Sequence, residues 1–152
     1  MTRLSKPFLA TSNEREAVPN VVDAVRIVVL PDRIEATLRV RDASCRKVSP
    51  SLVASCKREF PELAFHACKN DWGPRFGDVM DRASVPHLLE HLVITLQVRR
   101  DQQDGRENFG YLGTTQWVSP GSCSAKVSVR FRNDVICLAC LKEALAFVNE
   151  HF

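Results

Sequence analysis

The chain has 152 residues, of which 45% are hydrophobic and 26% charged, a mix that builds one globular core and argues against a disordered chain. A formal net charge of +3 is mild, and the basic residues (Arg39, Arg41, Lys57, Arg99 and Arg130 among them) are scattered along the sequence, which argues against a nucleic-acid binder. No stretch approaches the roughly 20 apolar residues of a membrane span, and Met1 to Ala10 has no apolar run of signal-peptide length. These features predict a cytoplasmic protein with no membrane partner. The cysteines at 45, 56, 68, 123, 137 and 140 lie in separate local contexts except for the last pair, and they read as reduced, mostly buried thiols.

Residues 1–18 are polar, without apolar periodicity, and read as a flexible leader to a single domain over 19–152. Val22 to Leu30 is rich in β-branched residues and ends at Pro31-Asp32, a turn signal. Ile34, Ala36, Leu38 and Val40 then alternate with polar residues, the pattern of a half-buried strand, so the two runs predict a hairpin. Ser49-Pro50 opens a helix carrying Leu52, Val53 and Cys56 that Pro61 stops. Leu63 to Lys69 reads as a short strand, Asn70 to Arg75 as a loop and Phe76 to Met80 as the start of a short helix.

Ser84-Val85-Pro86 starts a longer helix, with Leu88, Leu89, Leu92, Val93 and Leu96 as its apolar stripe and Arg99-Arg100 near its end. Phe109 to Val118 reads as extended, and Pro120-Gly121 as a turn. Val127, Val129 and Phe131 alternate as a second half-buried strand, and Val135 to Phe152 form a last amphipathic helix with Asp134 at its N-cap. The order β-β-α-β-α-β-β-α predicts an α+β two-layer sandwich, a mostly antiparallel sheet with helices on one face.

One pattern carries chemistry. His87-Leu88-Leu89-Glu90-His91 matches H-x-x-E-H, the inverted zincin signature. Residues four apart on a helix lie on one face, so two imidazoles there can reach one divalent metal, and Glu90 shares that face. A carboxylate so placed can take a proton from a metal-bound water. The competing reading is a solvated surface patch. A catalytic metal needs a third ligand, and the candidates are Asp134, Glu143 and Glu150, with Cys68 and Cys123 as softer options. Asp134 reads equally as a plain N-cap. Cys137-x-x-Cys140 sits in an apolar run and reads as core rather than redox chemistry. His66 could face a site or be a hydrogen-bonded core histidine, and His151 reads as a solvated terminal residue.

Residues 60–97 resemble the N-terminal domain of cyanophycin synthetase. The likeness rests on His66 and Cys68, Gly73-Pro74, Phe76, and the helix from His87 to Gln97. Further on, Gly113 and Asn133-Asp134 stand where that family has a Gly-Arg-Thr-Arg segment and paired glutamates. Thr114 and Gln116 replace its two arginines. The resemblance implies a fold similar to a pitrilysin-type metallopeptidase half-domain and to S-ribosylhomocysteine lyase. It implies zinc, or another divalent metal, held by His87, His91 and Asp134, with Glu90 as the base.

The activity so implied is hydrolysis of a peptide or isopeptide amide, in a protein that could form a homodimer. Two other functions remain open. One is a catalytically silent binding or regulatory module, which the replaced arginines and the single carboxylate at Asp134 favour. The other is a metal-dependent lyase or isomerase on a small molecule, in which a cysteine would join the two histidines.

Overall fold

The computed structural model describes residues 18–152, so the expected leader lies outside the described residues except for Val18. The first hairpin forms as its alternation predicts. Strands β1 (Val22–Val29) and β2 (Arg33–Val40) pair antiparallel, with a bulge between Ala24 and Arg26. Further along the chain, β5 (Gly113–Trp117) and β6 (Ser124–Arg130) also pair antiparallel. β6 then pairs with β2, giving a four-stranded antiparallel sheet in the order β1-β2-β6-β5.

Paired residues in such a ladder share a face. Ile34, Ala36, Leu38 and Val40 of β2, with Ala125, Val127 and Val129 of β6, turn to the inner face and are buried. Glu35, Thr37, Lys126 and Ser128 look outward. The row Ile27–Ala36–Val127–Thr115 runs straight across the sheet, so Thr115 on the edge strand points into the same layer as the core.

Two helices cover that inner face, α2 (Val85–Gln103) and α3 (Asp134–His151), and a third, α1 (Pro50–Glu59), packs against α3. The architecture is the α+β two-layer sandwich that the element order predicts. Serines cap the first two helices as expected, Ser49 accepting from the Leu52 N–H and Ser84 from the His87 N–H. At α3 the cap is Asn133, whose Oδ1 accepts from the Ile136 N–H at 3.1 Å. Asp134 is the first helical residue, one position inside the expected cap. Asn149 near the end of α3 accepts from the Val21 and Val22 N–H groups and donates to the Val22 carbonyl, which ties the start of β1 to the helix layer.

Helix α2 is enclosed far more than an apolar stripe requires. Leu88, Leu89, Leu92 and Val93 are fully buried, and Glu90, His91, Thr95, Gln97 and Asp101 are buried as well. It touches β5 and β6 on one side, α3 on another and the 61–65 segment on a third. It also extends to Gln103, a few residues past the expected end at Arg99-Arg100.

The segment between α1 and α2 departs most from the sequence reading. Pro61–Phe65 is a 3₁₀ turn instead of the opening of a strand. The strand is β3 (Ala67–Asn70), paired with β4 (Gly73–Arg75) where a loop is expected. Phe76–Asp78 and Met80–Arg82 are two short 3₁₀ turns in place of one helix. Short elements take their conformation from pairing partners rather than from local periodicity, so the pattern alone cannot assign them.

Candidate metal centre

The helix cap sets the first histidine. Because Ser84 is the N-cap, His87 occupies the third helical position, where its N–H donates to Ser84 Oγ at 3.2 Å. One turn later His91 stacks beside it, with ring centroids 5.0 Å apart and Nε2 to Nε2 3.2 Å. Phe76, fully buried, forms the floor. Its ring stacks on His91 at 4.1 Å and meets His87 edge-on at 5.2 Å.

The β3–β4 hairpin brings the third group. Cys68 Sγ lies 3.5 Å from His87 Nε2. Asn70 holds this hairpin in shape. Its Oδ1 accepts from the Trp72 and Gly73 N–H groups, and its Nδ2 donates to the Cys68 and Arg75 carbonyls. The Phe76 N–H donates to the His66 carbonyl at 2.8 Å and closes the base.

Cys68, His87 and His91 each offer one atom, and all three atoms lie within 4.8 Å of one another. Their spacing can be tested against a tetrahedral ion. Two nitrogens about 2.0–2.1 Å from such an ion are about 3.3 Å apart, and a nitrogen and a thiolate sulfur at about 2.3 Å are about 3.6 Å apart. The observed 3.2 and 3.5 Å match the His–His edge and one Cys–His edge, and the remaining Cys68–His91 edge lies within 4.8 Å. A thiolate with two imidazoles is also a donor set that suits zinc. The residues present therefore fit a divalent metal.

Electrostatics favour the ligand forms of the imidazoles. Burial pushes His91 down to about 3, with the neighbouring His87 and His66 rings adding to it. Burial also lowers His87, and it lowers His66 against the opposing pull of Glu62. All three rings are thus neutral at neutral pH, the state that binds metal. Burial raises the Cys68 thiol, the Asn70 amide opposes this, and the Glu90 charge adds to it. Metal binding there would displace a proton from sulfur.

Glu90 sits beside the cluster on α2, buried, with Oε1 4.0 Å from His91 Nε2. That approach is not an ion pair, because His91 is neutral. Burial raises the Glu90 carboxyl, while a hydrogen bond from the Thr115 hydroxyl to Oε2 opposes it. The inward row of the sheet is what delivers Thr115 to this carboxylate. At Gly113, two residues earlier on the same face, a Cβ would lie 2.6 Å from Glu90 Cγ and 2.8 Å from Oε1. Gly113→Ala is therefore expected to cost about 1–3 kcal/mol by overpacking against a side chain pinned by Thr115. Urea unfolding measures it, and an unchanged midpoint would mean that Glu90 moves aside freely.

Of the cluster, His91 lines a cleft of about 700 Å³, together with Glu90, Ile94, Arg99, Tyr111 and Gly113.

The structure leaves the other candidates elsewhere. Asp134 is exposed at the start of α3, and its Oδ1 accepts from the Val135 N–H at 2.8 Å. Among the described residues it does not join the histidine cluster; the third group there is Cys68. Glu143 pairs with Arg100 at 3.5 Å, and Glu150 lies 3.9 Å from His151. Cys123 is half-buried, Cys137 and Cys140 are fully buried with thiols pushed up by burial to about 12 and about 11, and all three lie outside the cluster. His151 is half-buried against Phe147 instead of solvated.

Among the described residues the group that could hold a metal is Cys68, His87 and His91, with Asp134 outside it. A sequence signal for Cys68 existed in His66-x-Cys68, since residues two apart in an extended segment face the same way. Thr115 carried no such signal, because only the sheet register aims it at Glu90. No family model, curated protein or solved structure matches the chain. Among the described residues, no helix is long and apolar enough to cross a membrane.

Proposed function

We propose that the protein is a zinc-dependent hydrolase of a peptide or isopeptide amide, with Cys68, His87 and His91 as the metal ligands and Glu90 as the proton-transferring group. The observation that carries this reading is the convergence of a thiol and two neutral imidazoles at tetrahedral spacing, with a buried carboxylate alongside. A divalent metal bound there would supply a Lewis acid for a carbonyl and acidify a nearby water.

The protein's own groups do the rest. Glu90, with a carboxyl raised by burial, takes a proton from water and delivers it to the leaving amine. Thr115 holds the other carboxylate oxygen, so Oε1 is the one left for proton transfer. The cleft beside His91 and Glu90 gives room for a chain segment of substrate. On this reading the H-x-x-E-H helix and the His-x-Cys segment before it are what the protein shares with the N-terminal domain of cyanophycin synthetase.

A second reading is favoured by one feature, the sulfur ligand. A cysteine beside two histidines also suits a lyase or isomerase that moves a proton next to a carbonyl of a small molecule, with Glu90 in the same role.

The test is metal analysis of protein purified without chelator, followed by incubation with a mixture of peptides and isopeptides. One divalent ion per chain and chelator-sensitive cleavage are expected. Absence of bound metal at saturating zinc would overturn both readings. Metal binding without cleavage, together with solvent-deuterium exchange into a small hydroxy-carbonyl compound, would replace the first with the second.

A further inference from the structure

The His87–His91 stripe continues one more turn along α2 to Thr95, and His66 fills the space between them. His66 Nδ1 lies 3.1 Å from His91 Nδ1, and His66 Nε2 lies 3.0 Å from Thr95 Oγ1. Thr95 is 1% exposed and His91 4% exposed, while His66, common to both contacts, is half-buried at the wall of the cleft. The order of protons along such a chain is constrained. If His91 offers its Nε2 lone pair toward Cys68 and His87, its proton sits on Nδ1. Nδ1–H then donates to His66 Nδ1, which must be the bare nitrogen of that ring. The His66 proton is thereby left on Nε2, where Thr95 Oγ1 accepts it. The distances accommodate both hydrogen bonds.

From this geometry we infer that His66, backed by Thr95, is a positioning residue that fixes the tautomer and ring orientation of His91 for metal binding. The inference rests on the metal reading above and adds a role for two residues that do not touch the ion. Metal-bound imidazoles commonly need such a partner on the other ring nitrogen, and losing it weakens metal binding by about 10–100-fold.

The test uses the full chain, stripped of metal, with zinc affinity read by competition against a chromophoric chelator. His66→Phe keeps a ring of similar size but has no acceptor, and its zinc affinity is expected to fall by about 10–100-fold. His66→Asn is smaller, but its Oδ1 is attached at the same branch point as the histidine Nδ1 and can accept from His91. It is expected to stay within a few-fold of the parent, below the about 10-fold lower bound of the phenylalanine effect.

Thr95→Val, which breaks only the outer link, is expected to fall between them. A role in packing alone predicts the reverse order, with phenylalanine tolerated and asparagine weakened, and that result would overturn the inference. Equal affinity in all three variants and the parent would overturn it too. Failure of the parent chain itself to bind zinc is a distinct outcome, and it would remove the metal reading together with this one. Thermal unfolding of each metal-free variant checks the fold: a loss of affinity that simply tracks a loss of stability overturns the positioning role.

Discussion

Glu90→Gln is expected to leave the metal bound and to lower amide cleavage by about 10²–10⁴-fold, the usual contribution of a positioned acid–base group. The substitution is nearly isosteric at a buried position, so it opens no cavity. The glutamine carbonyl can still accept from the Thr115 hydroxyl, which keeps the side chain in place. The other terminal group becomes an amide nitrogen, with two donors and no basic lone pair. Proton transfer is therefore removed while packing and the ligand set remain. The measurement is cleavage rate beside metal content. A variant as fast as the parent would place the base elsewhere, and a variant that loses its metal would make Glu90 a ligand.

Cys68→Ala is expected to weaken zinc binding by more than the about 10–100-fold that follows loss of an outer partner, because a direct ligand is gone. Cys68 is only half-buried on a short hairpin, so the metal-free protein should unfold near the parent's temperature. The contrast appears on adding zinc. At a free concentration of about 100 times the dissociation constant, a ligand specific to the folded state stabilises it by about 2.7 kcal/mol, roughly 5–10 °C in Tm for a chain of this size. The parent should show that shift and Cys68→Ala should not. Asp134→Ala, which alters an exposed helix-end carboxylate outside the cluster, should shift like the parent. If instead Asp134→Ala loses the response and Cys68→Ala keeps it, the carboxylate is the third ligand.

These two variants separate what one helix supplies from what the rest of the fold supplies. His87, Glu90 and His91 all lie on α2, and their mutual placement follows from helical geometry. Cys68 and Thr115 come from other elements, β3 and β5, that pack against α2.

By itself the sequence determined the elements whose periodicity is long. The alternation of β2 and β6, the capped runs of α1 and α2, and the shared face of His87, Glu90 and His91 are local consequences of a 2.0 or 3.6 residue repeat. A hydrophobic inner face on β2 and β6 also dictated that helices cover one side of an antiparallel sheet.

The tertiary structure alone decided what completes the site. Enclosure of α2 on several sides turned His91 from a surface group into a buried one, and desolvation then favours its neutral form. Pairing of β3 with β4 swung Cys68, rather than Asp134, toward the imidazoles. The register of β5 against β6 aimed Thr115 at Glu90. None of these is periodic in the sequence, because each depends on contacts between separate elements, such as Cys68 with His87, 19 positions apart, and Thr115 with Glu90, 25 positions apart, whose free energies exist only once the layers have packed.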